Sequence, residues 1–145
     1  MLIEITGQVG EGKTTKLLQE TLSKLKEGKK VLYCSNRFTE EKDVLNWSIC
    51  LDLKKPLDQI YKNHEEFYEG KTKDYLNNLK LLNFSVFNSP LKELIEKINT
   101  ESLGFRFDVL VIDDIDFLKL DENYHEILRG FILEKTVYTS RTMRK

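Results

Sequence analysis

Cysteine is scarce in this 145-residue chain: only Cys34 and Cys50 occur, without CxxC spacing or nearby histidines, which excludes a disulfide scaffold and a zinc ribbon. A reduced chain in the cytoplasm is expected. Two prolines and seven glycines exclude a collagen-like or low-complexity chain. The longest fully apolar run, residues 109–112, is far shorter than the roughly 20 residues of a membrane-spanning helix. No basic segment leads into an apolar run near Met1, so neither a signal peptide nor membrane anchorage is expected. Charge of one sign is lacking too. Twenty-three Lys and Arg stand against 24 Asp and Glu, a net charge of −1, so no global positive field draws the chain onto nucleic acid. Contact with single-stranded DNA would have to be local.

What remains is an ordinary globular composition, 40% hydrophobic and 32% charged, at a length suited to one domain over residues 1–145. Residues 2–6 are short, partly alternating and β-branched, and stop at glycine, which predicts a strand. Leu17, Leu18, Leu22 and Leu25 recur at helical spacing over residues 14–26. The run KVLYCS (residues 30–35) predicts a strand buried on both faces. Thr39 before Glu40 and Glu41 predicts an N-cap and a further helix. Residues 54–80 carry two short helical stripes around Gly70, ending with Tyr75, Leu76 and Leu79. A third strand is predicted over 81–87. Ser89 and Pro90 predict the start of a helix whose face is Leu91, Leu94, Ile95 and Ile98. Residues 107–113 (FDVLVID) predict a strand, 121–134 a helix and 136–140 a last strand. This alternation predicts an α/β fold, a parallel sheet of about five strands with helices on both faces.

The segment Gly7-Gln8-Val9-Gly10-Glu11-Gly12-Lys13-Thr14 satisfies every fixed position of G-x-x-x-x-G-K-[ST], between a strand and a helix. Glycines at 7, 10 and 12 let successive N–H groups turn inward onto phosphate oxygens. The helix N-terminus adds positive potential, Lys13 can reach the β and γ phosphates, and the Thr14 hydroxyl can ligate Mg²⁺. Thr15 is placed to hold the α phosphate. This chemistry needs an acidic partner at the end of a neighbouring strand, and residues 109–112 deliver Asp113 there as the second Mg²⁺ ligand. Asp114 follows directly.

Together these residues resemble the RecA-like ATPase core of hexameric replicative DNA helicases, through GQVGEGKTT, KKVLYCS, NFSVF, FDVLVIDDIDFL and VYTSRTMRK. The resemblance implies binding of ATP and ADP with Mg²⁺, and assembly as a homo-oligomer or docking onto a helicase or replication protein. It also implies a catalytic glutamate two residues after the serine closing the second strand, and a glutamine after the serine of the last one. This chain has Arg37 and Arg141 there. An arginine can neither accept a proton nor orient water as a carboxylate does. Nucleotide binding is therefore expected to be retained, with hydrolysis falling to Asp114 as base, ahead of Glu40 and Glu41, and Arg37 turned toward the γ phosphate. The family's further strands and arginine finger have no counterpart before Lys145, so residues 2–5 are expected at a sheet edge open to another chain. A minimal core of this kind suits a phage or mobile element, acting in the host cytoplasm.

Two other readings compete. Asp113-Asp114-Ile115-Asp116-Phe117 partly resembles a motif of thymidine-kinase-like nucleoside kinases, which also carry a four-cysteine zinc ribbon that this chain cannot supply. A decoy that copies a helicase subunit without turnover is the other. The terminal charges Arg141, Arg144 and Lys145 read as solvated, and His64 and His125 carry no chemistry. Trp47, Tyr33 and Phe38 read as core or half-buried aromatics rather than base-stacking groups.

Overall fold

The computed structural model describes residues 1–7, 12–54, 72–83, 89–101, 104–113, 118–119, 124–132 and 134–142. Its strands are β1 (Leu2–Gly7), β2 (Val31–Ser35), β3 (Leu79–Asn83), β4 (Ser89–Pro90), β5 (Val109–Ile112), β6 (Leu118–Lys119) and β7 (Thr136–Thr142). The helices are α1 (Lys13–Lys26), α2 (Glu41–Leu53), α3 (Thr72–Asn77), α4 (Leu91–Glu101) and α5 (Tyr124–Ile132). Five strands form one sheet in the order β1-β7-β5-β2-β3, and every neighbouring pair is parallel. This is the expected doubly covered α/β sheet, with β1 as an edge strand as anticipated.

Alternation along the central strands sorts the core into two layers. Tyr33, Val31, Val109, Val111 and Tyr138 face Leu17, Leu22 and Leu25 of α1 and Val44, Leu45 and Ile49 of α2. Leu32, Cys34, Leu110, Ile112 and Val137 face Leu94 and Ile98 of α4 and Leu128 of α5. The central strands are buried on both sides because both layers are helix-covered, which is why their sequences read as continuous apolar runs. Burial also pushes the Cys34 thiol well above its usual range, leaving it inert as a nucleophile.

The structure corrects several boundaries. Glu40, not Thr39, is the N-cap of α2, and no side-chain hydrogen bond caps the helix; the Thr39 hydroxyl instead donates to the Asp43 carboxylate at 3.3 Å. Leu79 belongs to β3 rather than to a helical stripe. Asn78 closes α3 by donating to the Asp74 and Tyr75 carbonyls, and its own carbonyl accepts from Val31, so the ladder to β2 begins at once. Ser89 and Pro90 lie in a two-residue strand paired with β6, and the helix expected there starts directly after them at Leu91, so only its first turn is displaced; β6 itself has no signal in the sequence. The helix predicted over 121–134 is present as α5, Tyr124–Ile132; residues 121–123 and 133 lie outside the described residues, and Glu134 lies in the turn that follows.

Leu110 is fully buried at the centre of the sheet. Leu110→Ala is expected to lower stability by about 2–5 kcal/mol, read as a lower urea midpoint with an unchanged slope. A loss below about 1 kcal/mol would show that this layer is not the packed core described.

Candidate functional site

The parallel register brings the ends of three strands to one row. Cys34 of β2 and Thr139 of β7 both lie opposite Ile112 of β5, so Ser35, Asp113 and Ser140 come next, side by side, at the carboxyl edge of the sheet. Asp113 is fully buried, and its backbone N–H still donates to the Cys34 carbonyl at 2.8 Å. The ladder thus holds the residue rigidly while its side chain projects beyond it.

Four hydroxyls converge on that carboxylate. Thr14 Oγ1 donates to Oδ1 at 3.1 Å and lies 3.4 Å from Oδ2. Ser140 Oγ reaches Oδ1 at 3.3 Å. The Tyr33 hydroxyl reaches Oδ2 at 3.3 Å and Ser35 Oγ at 3.5 Å. The Arg37 guanidinium adds a charged contact, Nε to Oδ2 at 3.7 Å, from a side chain half open to solvent. Its backbone N–H donates to Ser35 Oγ at 3.0 Å, which sets the turn after β2. Tyr33 is in turn packed edge-on against Phe38, ring centroids 5.9 Å apart. Burial, reinforced by the Asp113 charge and hydrogen bond and opposed by Arg37, holds the Tyr33 phenol protonated well above its ordinary range. It is fixed as a donor.

On the other side of this row stands the start of α1. Gly12 is its N-cap residue, in the left-handed region at φ 80°, a conformation that costs other residues strain. Among the described residues no side chain caps the helix, and no acidic residue lies in its first turn. The start of α1 carries amide donors and the positive end of the helix dipole, the groups an anion would meet there. Lys13 Nζ donates to the Gly7 carbonyl at 3.2 Å, bridging the two ends of the predicted loop.

The structure thus brings together Gly7, Gly12, Lys13, Thr14, Arg37 and Asp113. Thr15 and Arg37 line a cavity with Thr14. Gln8, Val9, Gly10, Glu11 and Asp114 lie outside the described residues. Thr14 and Asp113 present hard oxygens 3.1 Å apart, the donor type Mg²⁺ takes while keeping several waters. The donor set fits the cation. Tyr33, Ser35 and Ser140 went unmarked in the sequence as site residues, although each of the three strands visibly ends its apolar run in a small polar residue.

No protein-family model matches the chain, and no curated protein matches it. Solved structures do. A DnaB-like replicative helicase, described with its interactions with primase, superposes over 100% of this chain and 40% of its own, with a TM-score of 0.65 at 12% identity. A second solved structure, an ATPase domain, superposes over 99% of this chain and 57% of its own, with a TM-score of 0.64 at 13% identity. This chain therefore spans about half the length of those structures, and it shares with them the RecA-like fold of a helicase ATPase domain.

The protonated state of Tyr33 has a measurable consequence. Its contribution to stability is complete below about pH 10 and is lost as pH rises past that value. Alkaline unfolding curves are expected to show stability falling above that pH, and falling less steeply in Tyr33→Phe. Equal slopes in the two proteins would contradict a buried phenol on Asp113.

Proposed function

We propose that this chain is a helicase-like P-loop NTPase module that binds ATP with Mg²⁺, is at most a weak ATPase, and serves as a nucleotide-gated part of a DNA replication or recombination assembly. The observation that carries the reading is the hydrogen bond from Thr14 to Asp113 at 3.1 Å. It joins the uncapped start of α1 to the acidic end of β5, so one cluster offers donors to phosphate and oxygens to a cation. Gln8, Val9, Gly10 and Glu11 would complete the cradle with their backbone, Lys13 would neutralise the β and γ phosphates, and Thr15 would hold the α phosphate. Thr14 and Asp113 would hold Mg²⁺, which would supply charge neutralisation for the phosphates.

Arg37 stands where the resemblance implies a carboxylate, and its guanidinium faces Asp113. Such a group stabilises phosphate charge and cannot take a proton from water. Binding is therefore the strong function and turnover the weak one, with Asp114 as the base for whatever turnover occurs. Among the described residues β1 lies at the edge of the sheet, which favours a docking role as well, since a strand edge can accept another chain.

Lys13→Ala is expected to weaken binding of a fluorescent ATP analogue with Mg²⁺ by about 10- to 100-fold; equal affinity would overturn the assignment. Steady-state ADP release gives the second test. Arg37→Glu, which restores a carboxylate, is expected to raise turnover by about 10-fold or more, whereas unchanged turnover would show that Arg37 is not what limits hydrolysis.

A further inference from the structure

Trp47 is the single tryptophan of the chain and, with Met1, one of the large hydrophobic side chains exposed among the described residues, at 43%. It sits on α2, whose opposite face buries Val44, Leu45 and Ile49, so packing of the core does not explain it. Asp43 and Leu51 lie one turn either side of it, making a line along the helix. That line borders a cavity of about 480 Å³ between α1 and α2, within the size range of small-molecule sites. Leu18 of α1 and Phe38 supply further apolar wall, and Thr14 and Thr15 lie on the same lining.

We propose that this cavity is the base subsite of the nucleotide, with a purine stacked on the Trp47 indole and its amino edge toward Asp43. The inference rests on the phosphate-site reading above and extends it. Continuity is the first argument: Thr14 and Thr15 border the phosphate position and the cavity at once. Leu18 follows one turn later, about 5 Å along α1, the kind of span that a ribose bridges between phosphate and base. The second argument is chemistry. An indole and two aliphatic side chains give a base its apolar faces, while the Thr39 hydroxyl, donating to Asp43 at 3.3 Å, holds a carboxylate oriented as an acceptor for exocyclic N–H groups. A purine covers more of the indole than a pyrimidine does, so ATP and GTP should exceed CTP and UTP in affinity.

The lone tryptophan reports directly. ATP with Mg²⁺ is expected to change Trp47 emission, and inorganic tripolyphosphate with Mg²⁺, which carries no base, to leave it nearly unchanged. In calorimetry, Trp47→Ala should weaken ATP by about 5- to 100-fold while tripolyphosphate affinity stays within about twofold of the parent. Trp47→Phe, which keeps an aromatic face, should recover most of the ATP affinity. Lys13→Ala should weaken ATP and tripolyphosphate alike. If tripolyphosphate binds and responds to Lys13→Ala but Trp47→Ala leaves ATP affinity unchanged, the base subsite is wrong and the phosphate site stands. If tripolyphosphate does not bind, or binds equally to Lys13→Ala, the phosphate site falls and the base subsite with it.

Discussion

The molecule is organised around one buried carboxylate. Asp113 has no exposed surface, and an uncompensated charge at such depth costs several kcal/mol. Hydrogen bonds to a charged acceptor each return about 1.5–3 kcal/mol, and here the hydroxyls come from three different elements: Thr14 of α1, Tyr33 and Ser35 of β2, and Ser140 of β7. None of them is near Asp113 in sequence. Only the parallel order β7-β5-β2, with its shared register, brings them to one carboxylate. The same order sets the start of α1 over the end of β5, so the fold and the site are held by one constraint.

Three kinds of recognition then divide along α1. Its uncapped first turn and Lys13 suit phosphate, the Thr14–Asp113 pair suits a hydrated divalent cation, and the groove toward α2 suits an apolar, stacking group. Arg37 borders all three, contacting Asp113 while lining the groove. Its guanidinium, 3.7 Å from the Asp113 carboxylate, balances that buried charge. Such an arrangement favours occupancy over chemistry, because it adds positive charge to the site and removes a proton acceptor from it.

Much of this was legible in the residues, for identifiable reasons. The apolar runs at 31–34 and 109–112 announced strands buried on both faces, since helices cover both sides. The glycines, Lys13 and Thr14 announced a phosphate loop because few other purposes need that spacing. Asp113 was legible as the polar end of the most strand-like run. Tyr33 reads in the sequence as a core aromatic: its ring is core, but its hydroxyl donates to Asp113, and only the register of β2 against β5 tells the two apart. Trp47 reads the same way, and its exposure is set by which face of α2 turns to the core, a tertiary choice that its own residue type does not encode. Thr39 has the composition of a cap, but the helix starts one residue later with Glu40 at the N-cap position, and the Thr39 hydroxyl donates to Asp43 instead. The pairing of β4 with β6 is a contact between two-residue segments, too short for any periodicity to mark.

The central claim is that Thr14 and Asp113 form the cation-binding half of a nucleotide site at the start of α1. A crystal of the protein grown with a non-hydrolysable ATP analogue and Mn²⁺, with data collected at the manganese absorption edge, tests it most directly. The account predicts an anomalous peak beside the Thr14 hydroxyl and the Asp113 carboxylate, with the triphosphate against the first turn of α1. An analogue bound elsewhere on the chain, or a triphosphate at α1 with manganese away from both residues, would contradict it.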